Sequence, residues 1–252
     1  MIGGSGFALR EQQPFEEVRT PYGEAWATEF RLGEQAAVFL PRHGPRRTLP
    51  PHRVNYRANL WALKERGVSD IFATFSVGSL RTSLPPGTVI ILDQFLDFTK
   101  ARPATFFDGE DGRIVHVEMT YPYCPRLRGL LSQAAKAVGL EIVPRGTYVC
   151  VEGPRFETAA EIAMLGSLGG DVVGMTGVPE VVLARELGIC FCGLALVTNF
   201  GAGLGAVPPS HQEVMELMGG STAQIWNLFE EVSRQRTSQA CECKKSVSRE
   251  DK

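Results

Sequence analysis

The chain has 252 residues, 44% hydrophobic and 21% charged, with a formal net charge of −2. These proportions suit one large globular α/β domain or two small ones, and a folded chain of this size buries roughly 70–75% of its extended surface without staples. The charge balance excludes a global basic face for nucleic acid or an anionic membrane, and no run approaches the roughly 18 apolar residues of a membrane span.

In chain order, a short stub, Met1-Ile2, precedes a glycine cluster, Gly3-Gly4-Ser5-Gly6. Short apolar runs rich in β-branched residues then predict strands over Ala36–Pro41, Ile71–Ser76, Thr88–Leu92, Thr147–Val151, Asp171–Gly174 and Ile189–Thr198. Amphipathic patterns predict helices over Asn55–Glu65 and Pro125–Val138, with Gly139 as a stop, and a third beginning near Glu157. A fourth runs from Pro179 to Leu187 and a last one over Ser210–Val232. Strands alternating with helices imply a mostly parallel or mixed sheet covered on both faces, in one domain over residues 1–232. The stretch 233–252 is polar and reads as a mobile tail.

Four cysteines, Cys124, Cys150, Cys190 and Cys192, lie in apolar or mixed segments and read as small buried hydrophobes in a reducing cytoplasm. Cys241-Glu242-Cys243 is exposed by context and reads as a redox-sensitive pair or a local disulfide. The Cys-x-x-Cys spacing of metal sites is absent, so no zinc site is expected.

In open α/β sheets ligands sit in loops beyond the strand ends. Four such loops suit an anion. The Gly3–Gly6 cluster lets backbone N–H groups approach closely and Ser5 adds a hydroxyl, although an ordinary turn would look the same. Arg42-His43-Gly44 offers a planar fork and a second donor, or else a solvated surface pair. Phe75-Ser76-Val77-Gly78-Ser79 supplies amides and hydroxyls, and Met175-Thr176-Gly177 puts a threonine by a helix start. Phosphate binding is their common reading. Two further segments suit base recognition. In Glu152–Thr158, Phe156 and Glu157 stand at a helix start, where Glu157 could equally serve the helix dipole. In Thr198-Asn199-Phe200-Gly201, Asn199 could equally be a turn residue.

Taken together, Ile2–Gly6, Arg42–Gly44, Val54–Asn59, Glu152–Phe156 and Met175–Glu180 resemble the methylthioadenosine phosphorylase branch of the trimeric purine nucleoside phosphorylases, over about residues 1–232. The resemblance implies a three-layer αβα sandwich with a mixed central sheet, and a homotrimer or a hexamer built from trimers. It assigns Ser5, Arg42, His43, Phe75, Ser76 and Thr176 to phosphate. It sets Met175 against the ribose and Phe156 against the base, with Phe200 and Gly201 alongside, and puts His116 where relatives reach into a neighbouring subunit's pocket.

Two departures from that branch carry the specificity. Glu157 and Asn199 replace a small residue and an aspartate, the pairing found in 6-oxopurine phosphorylases. An ionised carboxylate can only accept, so Glu157 fits the N1–H of a 6-oxopurine and repels the bare N1 of adenine, while the Asn199 amide can serve both O6 and N7–H. His211, at the start of His211-Gln212-Glu213-Val214, fits an ordinary ribose 5′-hydroxyl where thio-nucleoside enzymes are apolar. Val207, Val214 and Met218 leave room for a 5′-methylthio group. The expected activity is reversible phosphorolysis of inosine or guanosine, with Asn199 and His43 closest to the chemistry, inorganic phosphate as co-substrate, and no metal or other cofactor. The alternatives are the same reaction on methylthioinosine or methylthioadenosine, a hydrolytic nucleosidase, and a non-catalytic purine-binding protein.

Overall fold

The computed structural model describes residues 1–11, 13–110, 112, 114–206, 210–235, 241–245 and 247–250. The chain opens with β1 (Ile2–Gly3), β2 (Glu16–Thr20), β3 (Gly23–Leu32) and β4 (Gln35–Pro41), followed by α1 (Tyr56–Glu65), β5 (Asp70–Ser79), β6 (Val89–Ile91), β7 (Gln94–Phe98) and β8 (Ile114–Val117). Next come α2 (Pro125–Ala137), β9 (Thr147–Val151), α3 (Ala159–Ser167), β10 (Val172–Gly174), α4 (Gly177–Glu186), β11 (Cys190–Phe200), α5 (His211–Gln235) and β12 (Val247–Glu250).

Ten strands form one mixed sheet in the order β2-β3-β4-β1-β5-β10-β9-β7, with β11 on the other edge of β5 and β6 beyond it. The β5–β11 pair is parallel and runs from Cys190 opposite Asp70 to Phe200 opposite Ser79. Side chains along β11 alternate between two cores, as the strand period requires. Phe191, Ala195 and Val197 pack with Leu60 and Leu63 of α1 and Leu183 of α4. Cys190, Cys192, Leu194 and Leu196 pack with Leu127 and Leu131 of α2 and Trp226 and Phe229 of α5. A sheet with helices on both faces is the three-layer αβα architecture expected. Each fully buried aliphatic or aromatic side chain contributes about 1.5–3 kcal/mol to holding the layers together.

Local chemistry fixes the helix starts. The Asn55 side chain accepts the Ala58 N–H at 3.1 Å and caps α1. Pro125 opens α2, and Gly139, at φ 68°, follows its C-cap as predicted. Thr158 caps α3 in a reciprocal capping box with Glu161. The predicted start near Glu157 is therefore two residues early, and Glu161 rather than Glu157 serves the first turn.

Two readings are corrected. The stretch 233–252 is not a free tail where it is described: α5 continues to Gln235, and β12 pairs antiparallel with β8, Val247 opposite Val117. Cys243, expected to be exposed, is 3% exposed and belongs to the core beneath α2 and α5, with Cys241 packed against it. The hairpin β2–β3 and the strands β7, β8 and β12 add to the predicted elements.

Candidate active site

The site follows from how β5 is shared. One edge of β5 is covered along its whole length by β11, so β1 and β10 must occupy the other. β1 runs parallel to β5 with Ile2 opposite Ala73, and β10 runs antiparallel with Val172 opposite Ser79 and Val173 opposite Gly78. Their carboxyl ends therefore converge from opposite directions at about Ser76. The loops after both strands, and the loop after the neighbouring β4, must open at that point. A cleft of about 600 Å³ lies there.

Of the residues predicted to act, Ser5, Arg42, His43, Ser76, Phe156, Glu157, Met175, Thr176 and Asn199 line this one cleft. Segments up to 194 positions apart are thus gathered by the loops after β1, β4, β9 and β10 and by the strands β5 and β11. On the anion side, the Ser76 hydroxyl donates to the Ser5 carbonyl at 3.0 Å and ties the glycine loop to β5. Gly4 must lack a side chain, because a Cβ there would stand 2.5 Å from the Arg42 guanidinium. At Gly6, φ is 75° and a Cβ would strike Met218 of α5 at 2.4 Å.

Arg42 is not a solvated surface residue. It is buried, and its Nε and Nη2 donate to both carboxylate oxygens of Glu180 at 2.8 and 2.7 Å. Nη1 donates to the Thr74 carbonyl at 2.9 Å, and the guanidinium lies 4.5 Å above the Phe75 ring. Three of five guanidinium N–H groups are used in this way among the described residues, which leaves two for a ligand. His43 is held through Nδ1 by the Leu49 carbonyl at 2.7 Å. The Thr176 hydroxyl does not cap α4. The backbone amides of Thr176 and Gly177 both point at the Tyr148 hydroxyl, at 3.1 and 3.3 Å, so the helix-start amides expected to favour an anion are already engaged.

On the other side, the capping box leaves Glu157 free of the helix. Burial pushes its pKa up, with Glu161 adding to the shift, while its own backbone amide and Arg155 oppose it. The Asn199 side chain is nearly buried. Its Oδ1 accepts from the Thr198 hydroxyl at 3.0 Å and its Nδ2 donates to the Phe200 carbonyl at 2.8 Å. One amide proton and one lone-pair direction remain for a ligand. Phe156 and Met215 add exposed apolar surface at 41% and 39%.

The remaining predicted residues lie elsewhere. Phe75 is core and meets the cleft only through Arg42. Phe200 lines an adjacent depression with Pro86 and Leu217. Gly201 packs under Ile162, where a Cβ would come within 2.8 Å. His116 stands exposed on β8, away from this wall. His211 begins α5, but its side chain, like that of Val214 and all of Val207, lies outside the described residues.

Sequence reasoning missed three contributors. Glu180 orients Arg42 from 138 positions away. Thr198 positions the Asn199 amide. Arg102, whose side chain is 2% exposed, donates to the carbonyls of Met175 at 2.6 Å, Val178 at 2.8 Å and Glu152 at 2.7 Å, so it clamps the loops bearing Met175 and Phe156 together. Glu180 carried a faint signal inside Met175–Glu180; a lone arginine in Lys100-Ala101-Arg102-Pro103 carried none.

A pre-formed cationic pocket beside an apolar slot with one carboxylate and one amide suits a small anion together with a heterocycle that has a polar edge. Comparison with known proteins agrees with this. The model of the phosphorylase superfamily matches residues 1–233. The 6-oxopurine nucleoside phosphorylase of Pyrococcus furiosus is 50% identical over 236 residues, covering 91% of this chain and 89% of its own. A probable S-methyl-5′-thioinosine phosphorylase of Methanopyrus kandleri is 48% identical over 219 residues, 86% of this chain and 84% of its own. Methylthioadenosine phosphorylase of Schistosoma mansoni, solved with adenine, superposes with a TM-score of 0.87 at 35% identity over 92% of this chain and 90% of that one.

Proposed function

The chain belongs to the phosphorylase superfamily, and from that premise we propose that it is a 6-oxopurine nucleoside phosphorylase, cleaving inosine or guanosine with phosphate to free purine and ribose 1-phosphate. Relatives named for that activity include those of Pyrococcus furiosus and, as a probable enzyme, Moorella thermoacetica. The observation that carries the substrate choice is the pairing of Glu157, released from helix capping by Glu161, with the half-used Asn199 amide in one cleft. Glu157 accepts from N1–H. Asn199 donates to O6 and accepts from N7–H. Adenine mismatches both, and each mispaired buried group forfeits about 1–3 kcal/mol.

Phosphate sits among Ser5, Arg42, His43, Ser76 and Thr176. The hydroxyls of Ser5 and Thr176 have no partner among the described residues, which supports that role. A phosphate oxygen forms the new bond to C1′ as the C1′–N9 bond breaks and its electron pair moves onto the purine, which takes up at N7, by way of solvent, a proton given up by the incoming dihydrogen phosphate. Asn199 stabilises the departing base by accepting that N7–H. Positioning and charge placement around an oxocarbenium-like ribosyl group supply the acceleration. Inorganic phosphate is the only co-substrate, and no metal or organic cofactor takes part.

A second reading, methylthioinosine as substrate, is favoured by Met215 on the cleft wall one helical turn beyond His211 and by the Methanopyrus kandleri relative. The assembly we propose is a homotrimer or a dimer of trimers, supported by exposed Phe156 and Met215 at the cleft mouth and by His116, which needs a neighbouring pocket to act on substrate. A cytoplasmic setting suits the buried thiols of Cys150 and Cys192. The test is hypoxanthine release from inosine with and without phosphate, beside adenosine, methylthioadenosine and methylthioinosine. Phosphate-dependent turnover of inosine with little of adenosine is expected. Cleavage confined to thio-nucleosides would transfer the assignment to the second reading.

A further inference from the structure

The fold brings together four cysteines that lie far apart in the sequence. Cys124 is the N-cap residue of α2, Cys190 begins β11, and Cys241 and Cys243 flank Glu242 at the short 3₁₀ turn after α5. Their four Sγ atoms all lie within 4.8 Å of one another, with Cys190 and Cys241 at 3.0 Å, and three of the four residues are buried. No other group of three or more metal-ligating side chains occurs among the described residues. Four sulfurs at about 2.3 Å around a tetrahedral zinc ion stand roughly 3.8 Å apart, inside the range this cluster already spans.

The surroundings suit a charged tetrathiolate. Four thiolates around Zn²⁺ leave a net charge of −2, which is costly when buried unless donors and cations face it. The side chain of Arg126, in the first turn of α2 two residues beyond Cys124, lies beside Cys190 and is held by Asp70. Cys124 is the N-cap of α2, so its sulfur stands at the positive end of that helix. Arg185, 4% exposed, is close enough to act on Cys243. Both Arg126 and Arg185 have a buried Nε without a hydrogen-bond partner among the described residues.

We propose that Cys124, Cys190, Cys241 and Cys243 form a structural zinc site that fastens the C-terminal segment to the domain. Zinc displaces four thiol protons to solvent and is bonded by all four sulfurs, with no position left for water, so the site is closed and not catalytic. Its location agrees. Cys190 and Asn199 stand nine residues apart on β11, roughly 30 Å at about 3.3 Å per residue. The absence of a Cys-x-x-Cys motif is no obstacle, because Cys241-x-Cys243 supplies two ligands and the sheet delivers the other two. What the metal secures is the return of the chain from α5 to β12 and its pairing with β8.

The test uses the full-length chain, purified without added metal and also reduced anaerobically and titrated with zinc. About one zinc per chain is expected in the reduced protein, together with protection of four thiols from alkylation that a chelator removes. Cobalt(II) in its place should give the visible and charge-transfer bands of a tetrahedral tetrathiolate. Cys241→Ser/Cys243→Ser should lower zinc content at least tenfold and speed amide exchange in Ile114–Val117. Failure of the reduced chain to take up stoichiometric zinc overturns the proposal. So does an isolated protein whose mass is short by two hydrogens per disulfide and whose reduced form ignores zinc. None of these readouts depends on which nucleoside is cleaved.

Discussion

Arg42 and Glu180 face each other as a two-pronged ion pair, 2.8 and 2.7 Å long, with their side chains 1% and 0% exposed. Burial alone would lower the pKa of the guanidinium. The charge of Glu180 and its hydrogen bonds outweigh that effect and hold Arg42 above the ordinary arginine range. The cation that we propose meets phosphate is thus fixed in direction before any ligand arrives, and in that proposal Glu180 is a positioning residue.

Glu180→Gln should keep the shape but leave a buried, half-compensated cation. Breaking a buried pair typically costs about 3–5 kcal/mol, and thermal denaturation should register a loss of that order. The phosphate KM should rise by at least roughly tenfold, one factor of ten per 1.4 kcal/mol, with a smaller change in the nucleoside KM. Equal changes in both KM values would mean that Glu180 only stabilises the fold.

Asn199→Asp removes the amide donor and supplies an acceptor. Inosine turnover should fall roughly 5- to 150-fold, the equivalent of about 1–3 kcal/mol for one mispaired group, and adenosine should become measurable as a substrate. Parallel kcat/KM values on the two nucleosides check this. A variant that loses inosine activity without gaining any on adenosine would remove Asn199 from the base pocket.

Glu157 links activity to pH. Its pKa is raised, mainly by burial, and in the proposed base pocket the ionised form is the stronger acceptor for N1–H and cannot clash with it as an O–H donor. The acidic limb of kcat/KM for inosine should therefore break at a higher pH than an ordinary glutamate would give. The sign for stability is the reverse: a carboxyl whose folded pKa is raised favours the fold when protonated, and that contribution disappears as pH rises through the folded value. Glu157→Gln should accordingly melt at a higher temperature than the parent at pH 7 while losing inosine activity and the acidic break. A profile whose break is unmoved in the variant would assign it to another group.

Most of the sheet was legible because β4, β5, β6, β9, β10 and β11 are short apolar runs that stand out from their flanks. The hairpin β2–β3 was not, since Glu16–Thr20 and Gly23–Leu32 intersperse charges with small residues at an edge where one face meets solvent. The cleft-lining residues were legible for a related reason: Arg42, His43, Phe156, Glu157, Met175 and Thr176 follow readable strands, and Ser76 and Asn199 stand near the ends of two others. Their supports were not. Glu180 and Arg102 look like ordinary helix and loop residues until the fold sets them against partners far along the chain, and Thr198 looks like one more strand residue beside Asn199. The thiol cluster was hidden in the same way, since Cys190 and Cys241 touch across 51 positions with no local motif to announce them.

Arg102 offers the sharpest separation of positioning from mere stability. Its guanidinium reaches Met175, Val178 and Glu152 and also meets the Tyr56 hydroxyl at 3.2 Å, so it fixes the spacing between the loop bearing Met175 and the loop bearing Phe156. Arg102→Met keeps most of the buried stem and abandons these acceptors, which should cost about 2–4 kcal/mol. If the two loops set the width of the nucleoside slot, the nucleoside KM should rise several-fold while the phosphate KM stays near its parent value. Arg102→Lys should restore part of the stability but little of the KM, because one ammonium cannot span two loops as a planar fork does. A variant that melts early yet binds nucleoside normally would reduce Arg102 to a structural tie.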